Sequence, residues 1–108
     1  MALTIKTLAA DEFPTTSATV YTVPGATTTR LTEIWISNNA VAARDVSVWI
    51  VNSGDAEGDE NCLIHDFAAP IDTPLILPLN TLLDTGDFIR VDSDGADVAY
   101  RISGIEEA

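Results

Sequence analysis

Glu33-Ile34-Trp35-Ile36-Ser37-Asn38 and Asp45-Val46-Ser47-Val48-Trp49-Ile50-Val51-Asn52 are the two runs on which the reading of this chain turns. Both alternate. Ile34 and Ile36 point one way, Glu33, Trp35 and Ser37 the other. Val46, Val48 and Ile50 point one way, Ser47, Trp49 and Val51 the other. A period of two places successive side chains on opposite faces of a strand. If the two runs pair as a hairpin with their aliphatic side chains inward, both tryptophans face away from the core. Three uses of such residues follow: packing under a second layer, a subunit interface, or a platform on which sugar rings stack. The interface is the favoured expectation, because both tryptophans sit mid-strand and aromatic residues concentrate at interfaces. Trp35, Trp49, Glu33 and Val51, together with Leu3 and Ile5 near the N-terminus, form the expected contact set.

Outward from this pair the pattern stays β. Leu3 to Leu8 alternates as a short strand, and Asp11-Glu12-Phe13-Pro14-Thr15 breaks it. Thr16 to Val23 is rich in β-branched residues, and Pro24-Gly25 fits a type II turn with glycine at its third position. Thr27 to Asn38 is the longest strand expected, joined to Asp45–Asn52 by residues 39–43. Asn61 to Phe67 reads as a strand, and Leu75-Ile76-Leu77 as a short edge strand closed by Pro78. Leu79 to Thr85 reads as irregular or as one helical turn. Phe88 to Asp92 and Asp97 to Ser103 flank Asp94-Gly95, a strong hairpin signal, with 104–108 as an acidic tail. About eight short strands at roughly 8–12-residue spacing, with no amphipathic helix, predict an all-β antiparallel sandwich of jelly-roll type. The length suits one domain over residues 1–108.

Charge is the most unusual bulk property: 17 Asp and Glu oppose 5 Lys and Arg, a net of −12. Nucleic acid and anionic membrane surfaces are therefore disfavoured partners, because no basic footprint exists to displace their counterions. No run approaches the roughly 18 apolar residues of a membrane span. The first residues lack the apolar core of a signal peptide, which predicts a protein made in a cytoplasm and kept soluble. The single cysteine, Cys62, excludes an internal disulfide.

Catalytic chemistry finds little purchase. His65 is the one histidine; alternation separates it from Cys62, and no Gly-x-Ser-x-Gly elbow occurs. The chain is expected not to be an enzyme. Asp55-x-Glu57-x-Asp59-x-Asn61 places oxygen ligands at alternate positions, with Asp66 twelfth, and is the candidate calcium loop. Glu60 stands where an EF-hand requires glycine, so a solvated acidic loop is the stronger expectation, with no cofactor.

Several segments together resemble small structural proteins of tailed bacteriophage virions. They are Leu3-Thr4-Ile5-Lys6-Thr7-Leu8, Val20-Tyr21-Thr22-Val23-Pro24, Thr27-Thr28-Thr29, Ile34-Trp35-Ile36-Ser37-Asn38, Leu77-Pro78-Leu79, Thr85-Gly86-Asp87-Phe88-Ile89 and Ile102-Ser103-Gly104-Ile105-Glu106. The resemblance implies a β-sandwich located in the virion and made in the host cytoplasm, without catalytic residues. Its expected role is a capsid decoration (cement) protein that oligomerises and stabilises the head. A tail or fibre component, or a carbohydrate-binding module using Trp35 and Trp49, is the alternative. The expected partners are further copies of the chain, as a trimer matched to the threefold axes of a capsid, and the major capsid protein. The terminal segments are the expected attachment arms.

Overall fold

Buried positions recur at every second residue along Thr29, Leu31, Ile34, Ile36 and Asn38, and this inward row organises the fold. The phase jump after Leu31 is a bulge. The computed structural model describes residues 2–108 and contains eight strands. They are β1 (Leu3–Glu12), β2 (Ala18–Thr22), β3 (Thr28–Asn38), β4 (Arg44–Val51), β5 (Cys62–Ala69), β6 (Leu75–Leu83), β7 (Phe88–Ser93) and β8 (Val98–Glu107). One 3-10 turn, Asp59–Asn61, precedes β5.

The strands form two four-stranded antiparallel sheets, ordered β1-β8-β3-β6 and β2-β7-β4-β5. The pairing is nested: β4 with β5, β3 with β6, β2 with β7 and β1 with β8. The chain thus forms one long hairpin, with its tip at residues 52–61, rolled into two layers. Rolling adds the β3–β8 and β4–β7 ladders. This is a jelly roll, an arrangement that buries one face of each sheet against the other. The core holds Leu31, Ile34 and Ile36 of β3, Val46 and Val48 of β4, Ile89 and Val91 of β7, and Val98, Tyr100 and Ile102 of β8. Phe13 closes it, meeting the Tyr100 ring edge-on at 5.1 Å.

The expected hairpins are where sequence and structure part. β3 and β4 do not pair; residues 39–43 carry the chain from one sheet to the other. Asp94-Gly95 also joins strands of different sheets, and there it is Asp97 that takes the left-handed conformation (φ 71°). Pro24-Gly25 is no type II turn, because the positive φ falls on Ala26 (55°). Leu79–Leu83 is not irregular: β6 continues through Pro78, which its edge position allows because one side of the strand needs no donor. Residues 104–107 are strand, not tail. Nor are the termini free arms. β1 pairs along β8 from Leu3 opposite Glu107, and Ala2 and Ala108 exchange backbone hydrogen bonds of 3.1 and 3.0 Å.

Candidate functional site

The two sheets present outer faces of different chemistry. On β3, Ile34 and Ile36 enter the core, so Trp35 projects outward from the β1-β8-β3-β6 sheet. On β4, Val46 and Val48 enter the core, so Trp49 projects from the other sheet. The tryptophans therefore stand on opposite sides of the sandwich, each half-buried. They cannot serve as one contact patch, and they cannot form one sugar-stacking platform. Val51 leaves the contact set altogether, because it is fully buried.

The outer face of the β1-β8-β3-β6 sheet is apolar. Ladder register aligns Ile5, Ile105, Arg30 and Leu82 in one row across all four strands. A second row holds Arg101, Trp35 and Ile76, and Leu3 and Glu107 lie at the far end. Leu3, Ile5, Ile76 and Leu82 are 67%, 84%, 55% and 63% exposed. Leu3, Thr28, Arg30, Leu82, Ile105 and Glu107 line a shallow groove on it. Of the expected contact set, Leu3, Ile5, Glu33 and Trp35 share this face. Ile76 lies within an expected strand whose neighbours local pattern does not identify, and Leu82 and Ile105 lie beyond the expected strand ends at Pro78 and Ser103.

The opposite face is acidic and partly covered. Asp92, Asp66 and Glu57 approach one another on it, and burial, then Glu57, then Asp66 push the Asp92 carboxyl up. Arg90 gathers the covering loop: its guanidinium binds Glu57, donates to Thr19 Oγ1 at 2.9 Å and to the Ser17 carbonyl at 2.9 Å. Ser17 also donates to Glu57. Burial opposes ionisation of Glu57, but the Ser17 and Arg90 bonds outweigh it and hold its carboxyl below the usual range.

Two side chains of the candidate calcium loop are bonded within the chain. Glu57 is engaged by Arg90 and Ser17. Asn61 Oδ1 accepts from the Gly58 amide at 3.0 Å, and its Nδ2 donates to the Ala56 carbonyl at 3.0 Å. Asp55 and Asp59 remain exposed, and among the described residues no group of three acidic, histidine or cysteine side chains is placed to hold a metal ion. We expect calcium and sodium chloride at matched ionic strength to give the same melting temperature, measured by thermal unfolding with and without chelator.

Nor does a catalytic group assemble around Cys62 and His65. Burial, followed by the charges of Asp59, Asp66, Asp92 and Glu57, pushes the Cys62 thiol up, the reverse of what a nucleophile needs. His65 is exposed, its Nε2 3.5 Å from a carboxylate oxygen of Asp66.

At the end of the sandwich where the chain termini meet, Tyr21 of β2 bonds across to the other sheet. Its hydroxyl donates to Glu106 and lies 2.8 Å from Thr29 Oγ1; Lys6 reaches Glu106 at 3.2 Å. The Tyr21 bond, against a smaller effect of burial, holds the Glu106 carboxyl low, with Lys6 adding to it. Burial first and Glu106 second push Tyr21 up to about 12. The unfolded chain ionises this phenol first, near 10, so its stabilising contribution is full below that pH and is lost as pH rises to about 12. Tyr100, raised by burial and then by Asp11, adds to the same loss. Melting temperature followed against pH should fall across this window, and Tyr21→Phe should remove part of the fall.

No protein-family model and no curated protein matches the chain. Solved structures do. A chain of the T13 infectious bursal disease virus particle matches over 96% of this chain and 30% of its own, with 9% identity and a TM-score of 0.57. The Gx strain of that virus gives 97% and 32% coverage, 12% identity and 0.54. The VP2 subviral particle of the same virus gives 97% and 31%, 11% and 0.50. This chain spans about a third of the length of those chains. The likeness is one of fold: the described strands make the jelly roll found in chains that build icosahedral virus particles.

Proposed function

We propose that this chain is a non-enzymatic structural protein of a virus particle, and that it decorates and cements the capsid of a tailed bacteriophage. The observation that carries the reading is the fold shared over 96% of the chain, at a TM-score of 0.57, with a chain of an icosahedral particle. The apolar outer face of the β1-β8-β3-β6 sheet supports it, since an exposed patch of this kind marks a protein contact. So does the strong net negative charge, which argues against a direct role on packaged nucleic acid. The chain associates with itself and with the major capsid protein.

The test is the composition of purified particles. Mass spectrometry should find the chain in fixed ratio to the major capsid protein. Particles lacking it should rupture at lower temperature, read by dye access to their DNA. Absence of the chain from particles sinks the proposal. Antibody labelling seen on the tail by electron microscopy sinks the cement role and leaves a tail position.

A further inference from the structure

The apolar outer face carries five charges. Arg30 and Arg101 are two of the five cations, and Glu12, Glu33 and Glu107 share the face with them. Among the described residues none of the five enters an ion pair. The contrast with Lys6 and Arg90, each tied to a glutamate, is sharp. With two cations and three carboxylates the face is close to neutral, on a chain whose net charge is −12. The opposite face is acidic, with Asp92, Asp66 and Glu57 against Arg90.

The sheet edges offer no alternative route. β1, β2, β5 and β6 are the edge strands, and each is irregular. Register slips between Thr7 and Ala9, between Thr19 and Tyr21, and along β5 opposite Val46–Trp49. On β6 it slips between Pro78 and Thr81, beside a proline that has no amide to donate. Bulges and edge proline are devices that block edge-to-edge pairing. A contact between copies must therefore use a face, and repulsion rules against the acidic one.

We infer that the nearly neutral apolar face of the β1-β8-β3-β6 sheet docks against the same face of a second copy across a two-fold axis, packing Leu3, Ile5, Ile76 and Leu82 and pairing arginines with the partner's glutamates. A self-complementary patch is what a two-fold interface requires, whereas a threefold ring needs two different complementary patches. The inference deepens the virion reading and rests on it for its setting, but its surface chemistry is independent of it. Strand spacing and rise give the face roughly 650 Å². A standard interface takes about 800 Å² per partner, so the dimer is weak and concentration-dependent.

Sedimentation equilibrium of the whole chain from micromolar to millimolar concentration tests this. Wild type should move from monomer to dimer. Leu82→Glu and Ile5→Glu, both at exposed positions, should stay monomeric with unchanged melting temperature. Trp49→Ser, on the opposite sheet, should dimerise as wild type does. Arg30→Glu should weaken association about tenfold, and Arg30→Glu with Glu107→Arg should restore part of it. A strict monomer, a trimer, or association lost in Trp49→Ser and kept in Leu82→Glu overturns the inference. So does a monomer whose binding to particles is lost in Leu82→Glu, since the face then belongs to the shell. Particle composition is read separately: a dimer through this face in a chain absent from virions sinks the virion reading alone, and a virion-bound monomer sinks this one alone.

Discussion

Asn38→Asp should lower folding stability by about 3–5 kcal/mol, a large part of what a small domain has. Asn38 ends β3 and is fully buried, at 0% exposure. Its Nδ2 donates to the carbonyls of Ala69 at 2.8 Å and Ala42 at 3.0 Å, and its Oδ1 accepts from the Ala40 amide at 2.8 Å. Its own carbonyl accepts from Asp72 at 3.1 Å. One residue thus ties together the 39–43 crossover and the end of β5 through its side chain, and the loop after β5 through its carbonyl. Aspartate has nearly the same shape but no donor. The substitution turns two donor–acceptor contacts into oxygen facing oxygen and places a charge where water does not reach. Urea unfolding should show the midpoint fall with little change in slope, and part of the loss should be recovered at acidic pH as the carboxyl takes up a proton. Asn39→Asp, on an exposed neighbour, should stay within about 0.5 kcal/mol.

Gly104→Ala is the second large effect, expected at about 2–4 kcal/mol. Gly104 lies in the middle of β8 between Lys6 of β1 and Leu31 of β3. A Cβ there would meet the Arg30 carbonyl oxygen at 2.5 Å and Leu8 Cδ1 at 2.8 Å. Leu8 can turn aside. The carbonyl cannot, because β3 is held by β8 on one side and β6 on the other. Gly25→Ala makes the contrast. Nothing lies within 4 Å of the added carbon, and the left-handed residue of that turn is Ala26. This change should be neutral to within about 0.5 kcal/mol. Chemical denaturation of the two variants side by side would measure both.

These two sites show where local reading ran short. Asn38 looked like the polar end of a strand, and Gly104 like part of an acidic tail. Each has its importance from chain segments distant in sequence: Ala69 for Asn38, Arg30 and Leu8 for Gly104. Trp35 and Trp49 tell the same story. Alternation places each on an outer face correctly, but which face depends on whether residues 39–43 turn back within a sheet or cross to the other. That stretch has no two-residue turn signature, and a short crossover reads much like a loose hairpin.

Local pattern was enough for the all-β class, the number of strands, the inward rows of Ile34, Ile36, Val46 and Val48, and the edge position of the strand around Pro78, because period-two burial and proline's missing donor act within a few residues. Tertiary structure alone decided the rest. The nested pairing of β1 with β8 and β2 with β7 joins segments far apart along the chain. It also decided which charges were neutralised within the chain, Glu57 by Arg90 and Glu106 by Lys6, and which were left on the apolar face. Backbone hydrogen bonding is the same whichever strands pair. The choice among pairings was made by closing one apolar core from both sheets, and no short stretch of residues carries that information.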